Sequence, residues 1–160
     1  MKKVFIGIDP GISGAIAFLR DDRVTVKDMP VRIVPNKNRK ATEVDPEELY
    51  EILKKGVLSW ELPIVMLEKT QPMKDSATTA FSMGMSRMAV LAAAAILKFP
   101  IIHVTPQEWK KHFGLIKCDK EASRTLARER FPSLCDELKC KKDHNRAEAL
   151  LIAFFGRERN

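Results

Sequence analysis

Apolar and polar positions divide the chain into short strand-like runs near its start and longer helix-like stretches beyond residue 76. Val4, Phe5, Ile6 and Ile8 form an apolar run stopped by Asp9, Pro10 and Gly11, which reads as a buried strand entering a tight turn. The run AIAFL (Ala15 to Leu19) follows at once, then charged turn residues Asp21 and Asp22, then the alternating VTVKDM of Val24 to Met29. Three short strands so closely spaced predict an antiparallel meander. LPIVMLE (Leu62 to Glu68) needs burial on both faces and reads as a central strand, and IIHV (Ile101 to Val104) is a further short one.

Helix signals separate these runs. Asp45 before Pro46, Glu47 and Glu48 is a cap, a first-position proline and acids in the first turn, so a helix runs from there to about Gly56. Ser76 to Lys98 is rich in small residues and methionine and becomes almost wholly apolar in VLAAAAIL, which predicts a core helix. Thr105, Pro106, Gln107 and Glu108 open another helix, Asp119 to Arg130 is amphipathic and stops at Phe131 and Pro132, and Asp143 opens the last, through ALLIAFF to about Arg157. Antiparallel strands first and strand-helix alternation afterwards predict an α/β sandwich, a mixed sheet with helices on both faces. No repeat, low-complexity tract or linker divides residues 1–160, and that length predicts one domain.

Composition adds a partner class. With 45% hydrophobic and 31% charged residues the chain is neither disordered nor a coiled coil, and its longest apolar run, Met88 to Leu97, is far below the roughly 20 residues of a spanning helix. No membrane is expected as a partner. The start, MKKVFIGID, lacks a secretory cleavage site, so a cytoplasmic protein is expected. Cys118, Cys135 and Cys140 are unsuited to a zinc site and read as reduced and structural. Twenty-eight basic against 21 acidic side chains leave a net charge of +7, which favours anionic partners, nucleic acid first among them. Residues 29–42 hold no acid, while Arg32, Lys37, Arg39 and Lys40 lie beside prolines and asparagines, which predicts an exposed basic loop able to contact phosphates.

Two buried-type strands end in acids, Asp9 and Glu68, and the apolar last helix carries Asp143 and Glu148 near its start. Each has an ordinary reading: a turn starter, a strand end meeting water, a helix cap, a surface residue. Glu148, however, is flanked by Ala147, Leu150, Leu151, Ile152, Ala153, Phe154 and Phe155, which cover most of the helix, and a half-buried carboxylate needs a partner. Hard Mg²⁺ or Mn²⁺ suits carboxylate oxygens. Three or four convergent acids would hold two such ions, about 3.5 to 4 Å apart in sites that clamp a phosphodiester.

IGIDPGISGAIAF, VMLEKTQPM, HVTPQEWKKHFG, DKEASRTLARERFP and DHNRAEALLIAFFG, in that order along nearly the whole chain, resemble the RuvC-type Holliday junction resolvases, particularly the small bacteriophage-encoded versions. The resemblance implies a ribonuclease H-like fold with a five-stranded sheet, a homodimer, and Mg²⁺-dependent cutting of opposed strands of a four-way DNA junction by paired nicks. By position, Asp9 and Glu68 match the first two catalytic acids and Glu148 the last. Members place an Asp or His three residues before that last acid, where this chain has Asn145, with His144 and Asp143 just ahead. A five-residue step turns an ideal helix about 500°, so Asp143 and Glu148 share no face unless Asp143 lies at or before the cap, which makes Asp143 the favoured fourth ligand ahead of His144 and Asn145. Lys110 and Lys120 resemble the lysines placed near the scissile phosphate. Where phage relatives carry a glycine-rich stretch after the second acid, Ser82, Gly84 and Ser86 still allow close approach of DNA or a partner subunit. Other readings are a broader nuclease cutting forks and flaps, a non-catalytic junction-binding module, and an actin-like ATPase fragment. The last needs a second glycine turn that seven glycines, none clustered late, do not supply.

Overall fold

The computed structural model describes residues 2–21, 23–36, 39–69 and 76–160. In chain order the elements are β1 (Lys2–Asp9), β2 (Ala15–Leu19), β3 (Val24–Asp28), β4 (Val31–Asn36), β5 (Arg39–Val44), α1 (Pro46–Lys55), β6 (Glu61–Glu68), α2 (Ala77–Ile96), β7 (Ile101–Val104), α3 (Pro106–His112), α4 (Lys120–Arg130) and α5 (His144–Arg159). Five strands form the mixed sheet in the order β3-β2-β1-β6-β7, with β1, β6 and β7 parallel and β2 and β3 antiparallel. The caps act as the sequence predicts. Asp45 accepts from the amides of Glu47 and Glu48, Thr105 and Glu108 form a reciprocal capping box, and Asp119 accepts from Ala122.

Side-chain alternation splits the core into two layers. Val4, Ile6 and Ile8 of β1 and Val65 and Leu67 of β6 pack with Leu49 and Leu53 of α1 and Val90, Ala93 and Ala94 of α2. Phe5 and Met66, one residue out of phase, pack instead with the buried residues of α5. Helices therefore cover both faces. Gly7 sets how closely α5 sits, because a Cβ there would collide with the carbonyl oxygen of Ala149 and the amide of Ala153. The contact is backbone against backbone, and no other residue type fits it without moving the helix.

Three expectations are corrected. Residues 29–42 are not an open loop: β4 and β5 pair as a separate antiparallel ribbon, with Val31 opposite Val44 and Pro35 opposite Lys40. Proline is tolerated there because a two-stranded ribbon consists only of edges. Second, α2 as a whole, unlike the Met88–Leu97 run that overlaps its end, is long and apolar enough to cross a membrane by length and composition. Of its residues only Ser86, Val90, Ala93 and Ala94 are buried inside the fold, so the expected core helix packs along one side and leaves the other exposed. Third, all three cysteines are free, but Cys118 and Cys140 are exposed rather than packed.

Candidate active site

Strand parity brings the first two acids together. β1 and β6 lie side by side with Ile8 opposite Leu67, so Asp9 and Glu68 follow as the next pair, on strands about 4.8 Å apart. Both share the phase of Phe5 and Met66 and face α5. Glu148 precedes Ala149, the residue seated on Gly7, so the third acid arrives where the helix touches the sheet. The electrostatics record this convergence. Burial first, then the neighbouring carboxylates of Glu68 and Glu148, push Asp9 up to about 7, against the opposing pull of Lys120 and Lys110. Glu68 is also raised, by burial and by Glu148.

One cation and one indole hold two of the acids in place. Lys110 Nζ lies 3.4 Å from Glu148 Oε1 and sits over the Trp109 ring, 5.0 Å from its centroid. Trp109, fully buried, donates its Nε1–H to Glu68 Oε1 at 2.8 Å. One residue thus braces Glu68 directly and Glu148 through Lys110. The sequence reading passed over Trp109. The available signal was a tryptophan inside a capped helix beside a lysine, since a buried indole N–H requires an acceptor.

The other candidates are placed as follows. Asp143 is buried, its Oδ2 accepting from the Cys140 amide at 2.7 Å and its Oδ1 3.9 Å from Arg146, so its carboxylate serves its own turn and does not join the other three. His144 lies within hydrogen-bond distance of the Lys141 carbonyl through Nδ1 and of Lys120 Nζ through Nε2, each at 3.1 Å. Asn145 donates to the Ser13 carbonyl. Asp9, Ser82 and Asn145 line an open cleft of about 420 Å³ between the Pro10–Gly14 turn and α2. Gly84 presents an open face, with nothing within 4 Å of where a Cβ would stand. Arg32 is paired with Glu43 across the ribbon at 2.7 Å, Arg39 and Lys40 belong to β5, and Lys37 lies outside the described residues.

Among the described residues no three His, Cys, Asp or Glu side chains are grouped tightly enough to hold an ion as they stand. The donor chemistry nonetheless fits a hard divalent cation. Three carboxylates share one half-buried corner, and Asp9 is raised first by its burial and then by Glu68 and Glu148, which Lys120 and Lys110 only partly offset.

Compared with known proteins, the chain matches no family model and no curated protein by sequence. Among solved structures it is similar to Thermus thermophilus RuvC, with a TM-score of 0.54 at 20% identity over 97% of this chain and 92% of that one. The fold is that of RuvC. A second RuvC structure from the same organism, in complex with Holliday junction substrate, matches with the same TM-score and coverages at 18% identity. The RuvC fold agrees with the mixed five-stranded sheet and two helical layers described above.

Trp109→Phe removes the only donor to Glu68 Oε1 among the described residues while keeping the ring. Because that bond lowers the proton affinity of Glu68 against the effect of burial, its loss raises it further. A hydrogen bond to a charged group is worth roughly 1.5–3 kcal/mol, so an enzyme using this site should lose about tenfold in kcat. The acid limb of its pH-rate profile should move to higher pH. An unshifted profile with a rate within twofold of wild type would show that the indole orients nothing.

Proposed function

We propose that the chain is a divalent-metal-dependent, structure-specific endodeoxyribonuclease that resolves four-way DNA junctions by paired nicks, leaving 5′-phosphate and 3′-hydroxyl ends. The observation that carries the reading is the meeting of Asp9, Glu68 and Glu148 beside Lys110 and Lys120 at one end of the central strands. It is supported by the RuvC fold and by a relative of that fold bound to Holliday junction substrate.

In this reading Asp9, Glu68 and Glu148 would hold two Mg²⁺ ions, for which Mn²⁺ would substitute. Asp143 completes the set when its carboxylate leaves the Cys140 amide, with His144 or Asn145 as the alternatives. Such ions supply Lewis-acid stabilisation of the charge that builds on a phosphodiester during in-line displacement. Lys110 and Lys120 neutralise the phosphate and Trp109 keeps Glu68 turned inward. Ser82 admits the backbone along the cleft and Gly84 offers an open face elsewhere on α2, while Arg32, Arg39 and Lys40 of the ribbon, together with Lys37, grip an arm.

Two symmetric cuts call for two sites, and α2 offers the means of pairing them. Phe81, Met85, Met88, Ala92 and Ile96 follow one another at heptad-like steps of four and three along one side of the helix, and the four large ones are 51–71% exposed. An apolar seam of this kind is self-complementary in a twofold dimer. The deciding experiment incubates the protein with end-labelled junction, fork and duplex, with and without Mg²⁺. Metal-dependent paired nicks in the junction are expected. Equal cutting of forks and flaps would favour a broader branch nuclease, and binding without cutting would reduce the chain to a junction-binding module.

A further inference from the structure

The end of the sheet opposite Asp9 is also basic, and none of the chemistry above uses it. Two adjoining clefts open there, of about 150 and 460 Å³, and both are lined by Arg20, Asp21 and Arg23 of the β2–β3 turn. Arg20 is committed to the fold, donating to Glu61 Oε1 at 2.6 Å and to the Gly56 carbonyl at 2.6 Å. The larger cleft adds Arg130 at the end of α4 and Arg157 in the last turn of α5. The smaller adds Lys2, Lys3 and Trp60.

Arginine at a helix C-terminus is ordinary, worth roughly 0.3–1 kcal/mol against the helix dipole. That accounts for one cation on each helix and not for their meeting. Arg130 and Arg157 converge on one ring, with their guanidinium carbons 5.8 and 4.9 Å from the centroid of Phe154. Among the described residues neither forms an ion pair with a carboxylate. Two like charges held beside one aromatic ring repel, and an anion between them relieves that repulsion. Trp60, 61% exposed beside Lys2 and Lys3, supplies a flat apolar face in the adjoining cleft. Cations that track a backbone combined with an aromatic on which a base stacks are the elements of single-strand nucleic-acid binding. An acidic peptide would engage the arginines but has no planar group to match Trp60.

We propose that this pole is a second nucleic-acid site, in which Arg130 and Arg157 clamp a backbone phosphate and Trp60 stacks a base of the same single strand. The eight residues of β1, at about 3.3 Å each, separate it from Asp9 by more than 20 Å. The strand held here is therefore not the phosphodiester at the acids, and binding does not depend on whether those acids cut.

The test titrates a short oligothymidylate into the full chain in EDTA at low salt, following tryptophan emission. The two tryptophans differ in setting, Trp60 exposed and Trp109 buried. Quenching is expected in wild type and not in Trp60→Phe, an exposed change that spares the fold. The double variant R130Q/R157Q should bind at least tenfold more weakly. Its log–log salt slope should be shallower by about 0.7, the share of the one phosphate the pair clamps. Both variants should keep wild-type cutting at saturating junction. Persistence of the quench in Trp60→Phe, or unchanged affinity and slope in the double variant, would overturn the site. So would quenching by an oligoglutamate peptide and not by the oligonucleotide.

Discussion

Asp9→Asn is expected to lower junction cutting by three or more orders of magnitude and, in the metal-free protein at pH 8, to raise the melting temperature. The first effect follows from removing one ligand of the set proposed to hold divalent cations, a contribution of several kcal/mol to transition-state stabilisation. The second follows from electrostatics without metal. Asp9 sits at about 7 in the folded chain, against 3.8 ordinarily, because it is buried beside Glu68 and Glu148. Below pH 4 both folded and unfolded chains hold the proton, and nothing is lost. Between pH 4 and 7 the unfolded chain releases a proton that the folded chain retains, so stability declines as pH rises, by about 1.4 kcal/mol per pH unit, towards an upper bound of roughly 4 kcal/mol above pH 7. Asparagine carries no charge, so the advantage of the variant is absent near pH 4 and complete above pH 7. Thermal melts across that range, in EDTA and then in Mg²⁺, make the comparison. Mg²⁺ should raise the wild-type midpoint by neutralising the same corner and should move that of the variant far less. Identical pH profiles for the two proteins in EDTA would mean that Asp9 does not meet the other acids.

Met88→Glu should convert the proposed dimer, about twice the 18.2 kDa chain mass, into monomers and replace the proposed paired nicks by single ones. Met88 is 60% exposed in the isolated chain, midway along the apolar side of α2, so the substitution itself should change folding stability by no more than about 0.5 kcal/mol. In a twofold seam each substitution occurs twice, and two carboxylates buried in apolar contact repel while losing their water. Sedimentation equilibrium reads the mass. A junction carried in supercoiled plasmid reads the coupling of cuts, since one nick relaxes the circle and two opposed nicks linearise it. A wild-type chain that sediments as a monomer at micromolar concentration, or a variant that still linearises the plasmid, would remove α2 as the dimer seam.

Much of this arrangement is legible from residue order alone, for identifiable reasons. The strands ending in Asp9 and Glu68 are apolar runs stopped by acids, and the helices at Asp45, Thr105 and Asp119 carry caps whose side chains bond as expected. These signals are local. The ribbon of β4 and β5 was hidden because Pro30, Pro35 and the asparagines look like loop, while its evidence as a strand pair, Arg32 facing Glu43, is a contact between residues 11 apart. Asp143 illustrates a different limit. An acid before a helix can serve its own chain or a distant site, and that choice depends on the short turn at Lys141–Asp143, which folds the carboxylate back onto the Cys140 amide. Trp109 was passed over because its partner is Glu68, 41 residues earlier, and it is the pairing of β7 beside β6, with Val104 opposite Glu68, that brings α3 to it.

The seat of α5 on Gly7 removes one means of adjustment from the site. Where helix and strand touch main chain to main chain, their separation cannot be trimmed by exchanging a larger side chain for a smaller one, as it can at most interfaces. The reach of each carboxylate into the corner must then be set by its own length. Here a short aspartate stands on β1 while the longer glutamates extend from β6 and α5. Altering that pattern, Asp9→Glu or Glu148→Asp, changes the gap between oxygens in a scaffold with no freedom to follow.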